Sequence, residues 1–570
     1  MNSFGTQEEL VHRQVEQWAV IQPNHPFVYY GEQRKTLTYK AFNDRVNQVA
    51  NGLLEEGIAK GDRISVFMKN PLMTTVAMFA IWKCGAVFCP INFNFKGKLL
   101  SYPLNDTNPI ILMTERSMVG RLNDIAYDVP CVNAIVYSPS FRDHDYEESS
   151  AKERLHSIYN EKDWSLVVSE NRNNPNVELN YFDMANIIYT SGTTGPAKGV
   201  VQSHRWVYGY TRGLRRLVTR EDVVYNDLPL YHVGGAFANI ARAAFVGAGI
   251  ALYDKFSPTQ FWKRIKDSQA TCAILLDVMI PWLMNAETKN TDRENTLNKV
   301  HMQPLPKYHQ EVAHRFGFDV ITSGFGQTEV GNPLSSAIVH GLDGKGTPDF
   351  LRRGYTLDEM TALLKDDGVP IMRGDEVNVK GFMGKPNAHF ELAILNEYDE
   401  EQPPGVIGQI GFRPQLPSLI LTEYFNKPES TTKAFKNLWF HSGDAGYLGV
   451  DGYYYYVDRL GSVIRCRGEK ISSYQLEDII NGHDDINLTA AFPIPAKQGD
   501  EDDVAVYCER KPGATITEDE LQSWCIKQMP KYMVPTYIRF IEEIPRTPTN
   551  KIEKYKLREM LLSEAPVQKN

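Results

Sequence analysis

Hydrophobic and polar positions along the first part of the chain follow two alternating periods. Phe42 to Gly57 carries apolar residues at helical spacing, Arg63 to Met68 reads as a strand, and Thr74 to Cys84 reads as a helix ending near Gly85. Alternation of this kind predicts a layered α/β body with largely parallel strands, because strands buried on both faces need covering helices. The pattern resumes at Val223 to Leu228 and Thr271 to Leu275. Ser138 to Asn180 is polar and without period, which reads as an exposed insertion or long loop. Gly341 to Gly381 is a second polar stretch, to which the sequence assigns no role. From Glu391 to Arg413, two apolar runs around Pro403-Pro404-Gly405 predict a β hairpin. Beyond Asp458 an α+β pattern follows, with helices at Tyr474 to Ile480 and Glu518 to Gln528 and a strand at Asp503 to Cys508. The expected organisation is a large N-terminal body over 1–457 and a small, mobile C-terminal domain over 458–570, hinged near Asp458.

Composition narrows the function classes. A chain of 570 residues is too long for one core, as the division expects. Its net charge of −9, with no dominant basic patch, argues against nucleic-acid binding. No apolar run approaches the ~18 residues of a membrane span. Met1 to Glu9 lacks the basic-then-apolar order of a signal peptide, so a cytoplasmic protein is expected. Seven scattered cysteines without ligand spacing predict reduced, mostly buried thiols and no structural metal.

Candidate chemistry concentrates in a few segments. Tyr189 to Gly199 follows the apolar run Ala185 to Ile188 and crowds Thr190, Ser191, Gly192, Thr193, Thr194, Gly195 and Lys198 into one loop. Glycines let backbone N–H groups converge on an anion, hydroxyls add donors and the lysine adds charge, so a polyphosphate is the expected ligand. The common P-loop spacing fails, since Ala197 stands five residues after Gly192. In Ser323 to Glu329, Phe325 between Gly324 and Gly326 can stack on a purine, beside Gln327. Thr328 can bond a phosphate oxygen, and Glu329 offers the hard oxygen that Mg²⁺ prefers. In Trp439 to Asp444, an acidic side chain can accept from both ribose hydroxyls.

With Pro545 to Ile552 near the C-terminus, these segments resemble, in order, the motifs of the adenylate-forming superfamily of acyl-CoA synthetases, luciferases and peptide-synthetase adenylation domains. The resemblance runs from about Leu10 to Leu557. It implies an ATP-dependent acid–CoA ligase that makes acyl-AMP and pyrophosphate, then acyl-CoA and AMP, with Mg²⁺ and coenzyme A. It assigns adenine, α-phosphate and Mg²⁺ to residues 324–329, and ribose to Asp444 with Tyr456 and Arg459. Lys551 becomes the adenylation lysine. Arg465, Arg467 and Gly468 lie in the segment that swings in for thioester formation, and Lys255 resembles a CoA-phosphate contact. His232, before Gly234 and Gly235, borders the acid's carboxylate.

Departures accompany the resemblance. Asn550 stands where glycine is commoner, and Gly461 where relatives carry a charge. Lys299 to Leu305 lacks the Gly-Gly-Ala turn that usually lies against adenine. The carnitine/crotonobetaine–CoA ligase subgroup resembles this chain in that lack and in the Arg467 to Lys470 linker. No aspartate between Leu228 and Asn239 awaits an α-ammonium, so the expected partner is a small carboxylic acid without one, a carnitine-like acid first. A quaternary ammonium needs aromatic faces, for which Tyr231 and Phe237 are the nearby candidates. Loading of a carrier protein, luciferase-like oxygenation and a non-catalytic relative are the alternatives. Oligomeric state is not legible.

Overall fold

The computed structural model describes residues 8–564 apart from 131, 191–196, 277–278, 341–345, 378, 380, 467–468, 497–501 and 547–551. The chain divides into two compact units: Met1–Asn378, Gly384–Phe390 and Pro414–Lys433 form the first, and Val379–Met383, Glu391–Arg413 and Ala434–Asn570 the second.

The first unit is the expected layered α/β body. Seven strands lie in the order Tyr159–Asp163, Val132–Tyr137, Ile111–Glu115, Arg63–Phe67, Val87–Pro90, Met184–Thr190 and Lys198–Ser203. All of these pairings are parallel except the last. A second sheet sets Val320–Gln327, Lys299–Gln303, Cys272–Leu276, Val223–Asn226, Gly249–Leu252 and Pro26–Tyr30 side by side, all parallel. Lys35–Thr38 adds antiparallel to Pro26–Tyr30 at one edge, and Gly331–Val339 pairs antiparallel with Val320–Gln327 at the other side.

The helix Pro71–Lys83 shows why the sequence folds this way. Every residue in it is buried, and its apolar residues surround the axis, as a helix enclosed in the core requires. Asn70 caps it by accepting from Met73 N–H at 3.0 Å, and Pro71 fits the first turn. Its one charge, Lys83, is neutralised by Glu16 at 2.8 Å and held by Asn43 and Asn47 on the helix Tyr39–Glu55.

The segment 138–180 is not a loose insertion. Tyr159–Asp163 extends the seven-stranded sheet at its edge, and the carbonyls of Asn171, Arg172 and Asn173 accept from Asn51 and Asn47. An edge strand with one buried residue at its start has no hydrophobic alternation to reveal it. Likewise 341–381 contains the helix Leu357–Asp366, started by a reciprocal Thr356–Glu359 capping box, and the strand Ile371–Arg373.

The second unit contains the expected hairpin, Phe390–Leu395 with Gly408–Pro414, followed in its sheet by Trp439–Leu448 and Tyr454–Arg459. Three further strands, Ile486–Pro495, Asp502–Arg510 and Tyr537–Phe540, pack with the helices Ser473–Asn481 and Glu518–Gln528 around one apolar cluster. A buried polar knot lies beside it. Asp458 accepts from Ser473 Oγ, Ser472 Oγ donates to Val457 O at 2.7 Å, and Lys554 Nζ meets Glu477 at 2.8 Å and Ser473. Burial raises the Glu477 carboxyl, and the carboxylates of Glu477 and Asp458 hold the Lys554 ammonium above its ordinary range.

Among the described residues no helix is long and apolar enough to cross a membrane, and Cys84, Cys89, Cys272, Cys466, Cys508 and Cys525 are free and buried.

Candidate active site

The glycine-rich loop joins two antiparallel strands, with Thr190 and Lys198 as register partners at its mouth. Thr190 Oγ1 donates to Lys198 O at 3.4 Å. Ser191, Gly192, Thr193, Thr194 and Gly195 lie outside the described residues. Lys198 Nζ sits over the Tyr424 ring, 4.7 Å from its centroid, and the Tyr424 hydroxyl donates to Glu329 Oε1 at 3.1 Å. The phosphate-loop lysine and the candidate metal carboxylate are thus joined through one aromatic side chain. Sequence reasoning missed Tyr424, which lies in a short segment without motif or period; its only signal was an aromatic beside Glu423.

Backbone bonds fix Thr328 and Glu329 in the same unit. Gln202 Nε2 donates to Thr328 O at 2.8 Å, Trp206 Nε1 to Glu329 O at 3.1 Å and Leu421 N–H to Glu329 O at 2.7 Å. Residues 320–327 form a strand, and the turn to Gly331 follows directly, so no helix starts at Thr328. Gly324 is required by space: a Cβ there would stand 2.2 Å from Leu334 O. Phe325 is only 5% exposed. Gln327 is partly buried beside Gly326.

The missing Gly-Gly-Ala turn is replaced by a hydrogen-bonded chain. His301 Nε2 meets Gln303 Oε1 at 3.1 Å, and Nδ1 meets Thr322 Oγ1 at 3.0 Å. An amide oxygen only accepts, so Nε2 carries the proton and Nδ1 accepts from the Thr322 hydroxyl. Burial pushes His301 down to about 4, leaving it neutral near pH 7.

His232 is exposed, and its Nδ1 accepts from Gly234 N–H at 3.2 Å. A π-helix, Gly234–Ala241, begins here, the wide turn that often marks functional segments. Gly235 cannot carry a side chain, since its Cβ would lie 2.6 Å from Pro229 O. Phe237, a candidate aromatic face for a quaternary ammonium, is fully buried and packs edge-on to Trp206 at 5.9 Å, so it cannot face a ligand. Tyr231 packs edge-on against Phe93. Lys255 is exposed, and its carbonyl accepts from Arg264.

In the second unit Asp444 and Arg459 are register partners, with Arg459 Nε 3.0 Å from Asp444 Oδ1. Asp444 is 2% exposed, and burial with the Asp444 charge raises the Tyr456 phenol. Ile464–Cys466 pairs antiparallel with Glu469–Ile471. The side chain of Arg465, and Arg467, Gly468 and Lys551 entirely, lie outside the described residues.

Comparison with known proteins decides the family. The model of the AMP-binding enzyme matches residues 15–416, and that of the AMP-binding enzyme C-terminal domain matches 475–551. The chain belongs to the AMP-binding enzyme family. Both of its domains are present in order, so the class expected from the motifs, an AMP-forming acid–thiol ligase, stands. Among curated relatives, a crotonobetaine/carnitine–CoA ligase from Salmonella arizonae is 27% identical over 535 residues, covering 91% of this chain and 93% of its own. One of the same name from Proteus mirabilis is 26% identical over 537 residues, covering 91% and 92%. Among solved structures, ATP-bound MatB from Rhodopseudomonas palustris shares the fold at TM-score 0.78 and 21% identity, over 97% of this chain and 99% of that one. The o-succinylbenzoate CoA synthetase of Bacillus subtilis, solved with ATP and magnesium, does so at TM-score 0.73 and 19% identity, over 95% and 98%.

Proposed function

We propose that this AMP-forming ligase joins a small carboxylic acid lacking an α-amino group to coenzyme A. The observation that carries the reading is the Lys198–Tyr424–Glu329 contact, which puts a cation and a hard oxygen ligand together at the mouth of the glycine-rich loop. A lone carboxylate with a phenol donor fits Mg²⁺, which takes one or two carboxylates and completes its shell with water and phosphate oxygens. Among the described residues no cluster of three acidic, histidine or cysteine ligands offers a closed metal cage. Bound Mg²⁺ would screen the triphosphate charge.

The chain's own groups then divide the work. Thr190, Lys198 and residues 191–195 hold the β- and γ-phosphates. Thr328 and Lys551 meet the α-phosphate as the carboxylate attacks phosphorus, where an ammonium neutralises developing charge. The segment Gly324 to Gln327 takes the purine, with Phe325, 5% exposed, backing that segment rather than offering a free ring face, and Asp444 with Arg459 and Tyr456 takes the ribose. His232 borders the acid's carboxylate. In the second half-reaction the small domain turns about Asp458, Arg465, Arg467 and Gly468 enter, and the CoA thiol attacks the acyl carbonyl while Lys255 meets its phosphate.

A carnitine-like acid is the finer reading that the names of the curated relatives support, with Tyr231 as the remaining aromatic face. ATP-to-AMP turnover with carnitine, crotonobetaine, fatty, aryl and amino acids tests both levels. Activity confined to amino acids would overturn the substrate class, and CoA-independent turnover coupled to a carrier protein would overturn the acceptor.

A further inference from the structure

The departures around Lys299 to Gln303 acquire a purpose beside an unneutralised buried cation. In the parallel register Ile274, His301 and Thr322 lie side by side, as do Leu276 and Gln303, so their side chains share one face of the sheet. Ile274 and Leu276 belong to a small apolar cluster with Leu228, Tyr210 and Leu214, apart from the main core. The π-helix contributes Ala238 to that cluster and ends at Arg242.

Arg242 is 4% exposed. Among the described residues its side chain makes one hydrogen bond, from Nη2 to the neutral Asn239 Oδ1 at 3.2 Å, and its buried Nε has no acceptor. The carboxylate that acts on it, Asp222, is already engaged by Lys299 Nζ at 2.7 Å and Thr271 Oγ1 at 2.6 Å. Two cations and one carboxylate therefore share this buried group. An isolated interior charge is costly, so a guanidinium kept here calls for a counter-ion that is not part of the resting protein. His301 cannot supply it, being neutral, and lies near enough to Arg242 for the guanidinium to help depress its pKa. What His301 does is orient Gln303. With Oε1 accepting from His301, the Gln303 amide nitrogen is left 3.6 Å from the Cβ position of Gly326, within the proposed nucleotide-binding turn.

We propose that Arg242 and the Gln303 amide bind a second carboxylate on the substrate, so that the enzyme activates dicarboxylic acids. This rests on the ligase reading and replaces the carnitine-like side group, since a quaternary ammonium would face the uncompensated Arg242 cation. Arg242 supplies charge-assisted hydrogen bonds and Gln303 a directed neutral donor. The apolar cluster takes the methylenes between the two carboxylates.

The test is AMP formation by the full chain with malonate through sebacate, each paired with the monocarboxylate of equal length, plus carnitine and crotonobetaine. One diacid should exceed its monocarboxylate in kcat/KM by roughly 10- to 100-fold, the range of a single charge-assisted bond. Arg242→Gln should abolish that preference with the KM for ATP unchanged. Gln303→Leu, which leaves every charge in place, should reduce it by about fivefold, the loss of one neutral bond. Turnover preferring monocarboxylates or carnitine, or a diacid preference intact in Arg242→Gln, overturns the second-carboxylate site and leaves the ligase reading standing. No AMP from any acid overturns both.

Discussion

Replacing Tyr424 by Phe removes one hydroxyl from the site and leaves the ring under Lys198. The lost bond, 3.1 Å to Glu329 Oε1, is one in which a neutral donor meets a carboxylate. Such bonds are worth about 1.5–3 kcal/mol when buried. Tyr424 is buried but Glu329 is only partly so, and solvent screening at the carboxylate reduces this to about 1 kcal/mol. The hydroxyl orients the carboxylate that is to meet Mg²⁺, so the cost falls on metal-dependent turnover. At 1.4 kcal/mol per decade, the Mg²⁺ concentration for half-maximal pyrophosphate release should rise about fivefold. The KM for the acid should not change. Glu329→Gln, which weakens the ligand itself, should shift the same titration further. Tyr424→Ala, which also removes the face under the ammonium, should add a loss in ATP affinity. Superimposable Mg²⁺ titrations for wild type and Tyr424→Phe would refute the reasoning, since the contact would then be structural only.

Two further outcomes are expected. Lys551→Ala should cut adenylation about 10²- to 10³-fold while sparing transfer of supplied acyl-AMP to CoA, and equal loss in both half-reactions would remove its assignment to the first step. His301 is buried neutral with its pKa at about 4, below the ordinary 6.5, so the unfolded chain binds the extra proton first. Its stabilising effect is present above pH 6.5 and is lost as pH falls toward 4, which amounts to about 2 kcal/mol at pH 5. Urea unfolding at pH 7 and pH 5 should therefore show a smaller acid loss in His301→Gln than in wild type.

Much of the body was legible because its buried strands and helices carry long apolar runs. Arg63 to Met68 and Thr74 to Cys84 match Arg63–Phe67 and Pro71–Lys83 to within a few residues, for the reason that both faces are covered. Tyr159–Asp163 was hidden because a half-solvated edge strand needs no apolar alternation. The glycines at 324 and 326 announced themselves by type, since the close approach of Leu334 O and Gly331 O admits little else. Tyr424 and Gln303 did not, because their importance arises from neighbours about a hundred and about twenty residues away in the chain. Phe237 misled for the converse reason. Next to a candidate site in sequence, it points into the core.

The polar knot around Asp458 bears on how a turn of the small domain would feel to the protein. Any rotation at residues 458–461 that moves Ser472 and Ser473 away from Val457 breaks the Ser472–Val457 bond and the Ser473–Asp458 bond together. The first is worth about 1 kcal/mol net and the second, a hydroxyl on a buried carboxylate, about 1.5–3 kcal/mol; breaking it leaves the Asp458 carboxylate near Glu477, with Lys554 and the Arg459 N–H as its partners. If the small domain turns here as proposed, the joint would act as a detent rather than a bearing, holding one setting until the load exceeds a threshold. In the proposed two-step reaction, that would give a clean interval in which acyl-AMP is complete before the thiol's groups arrive.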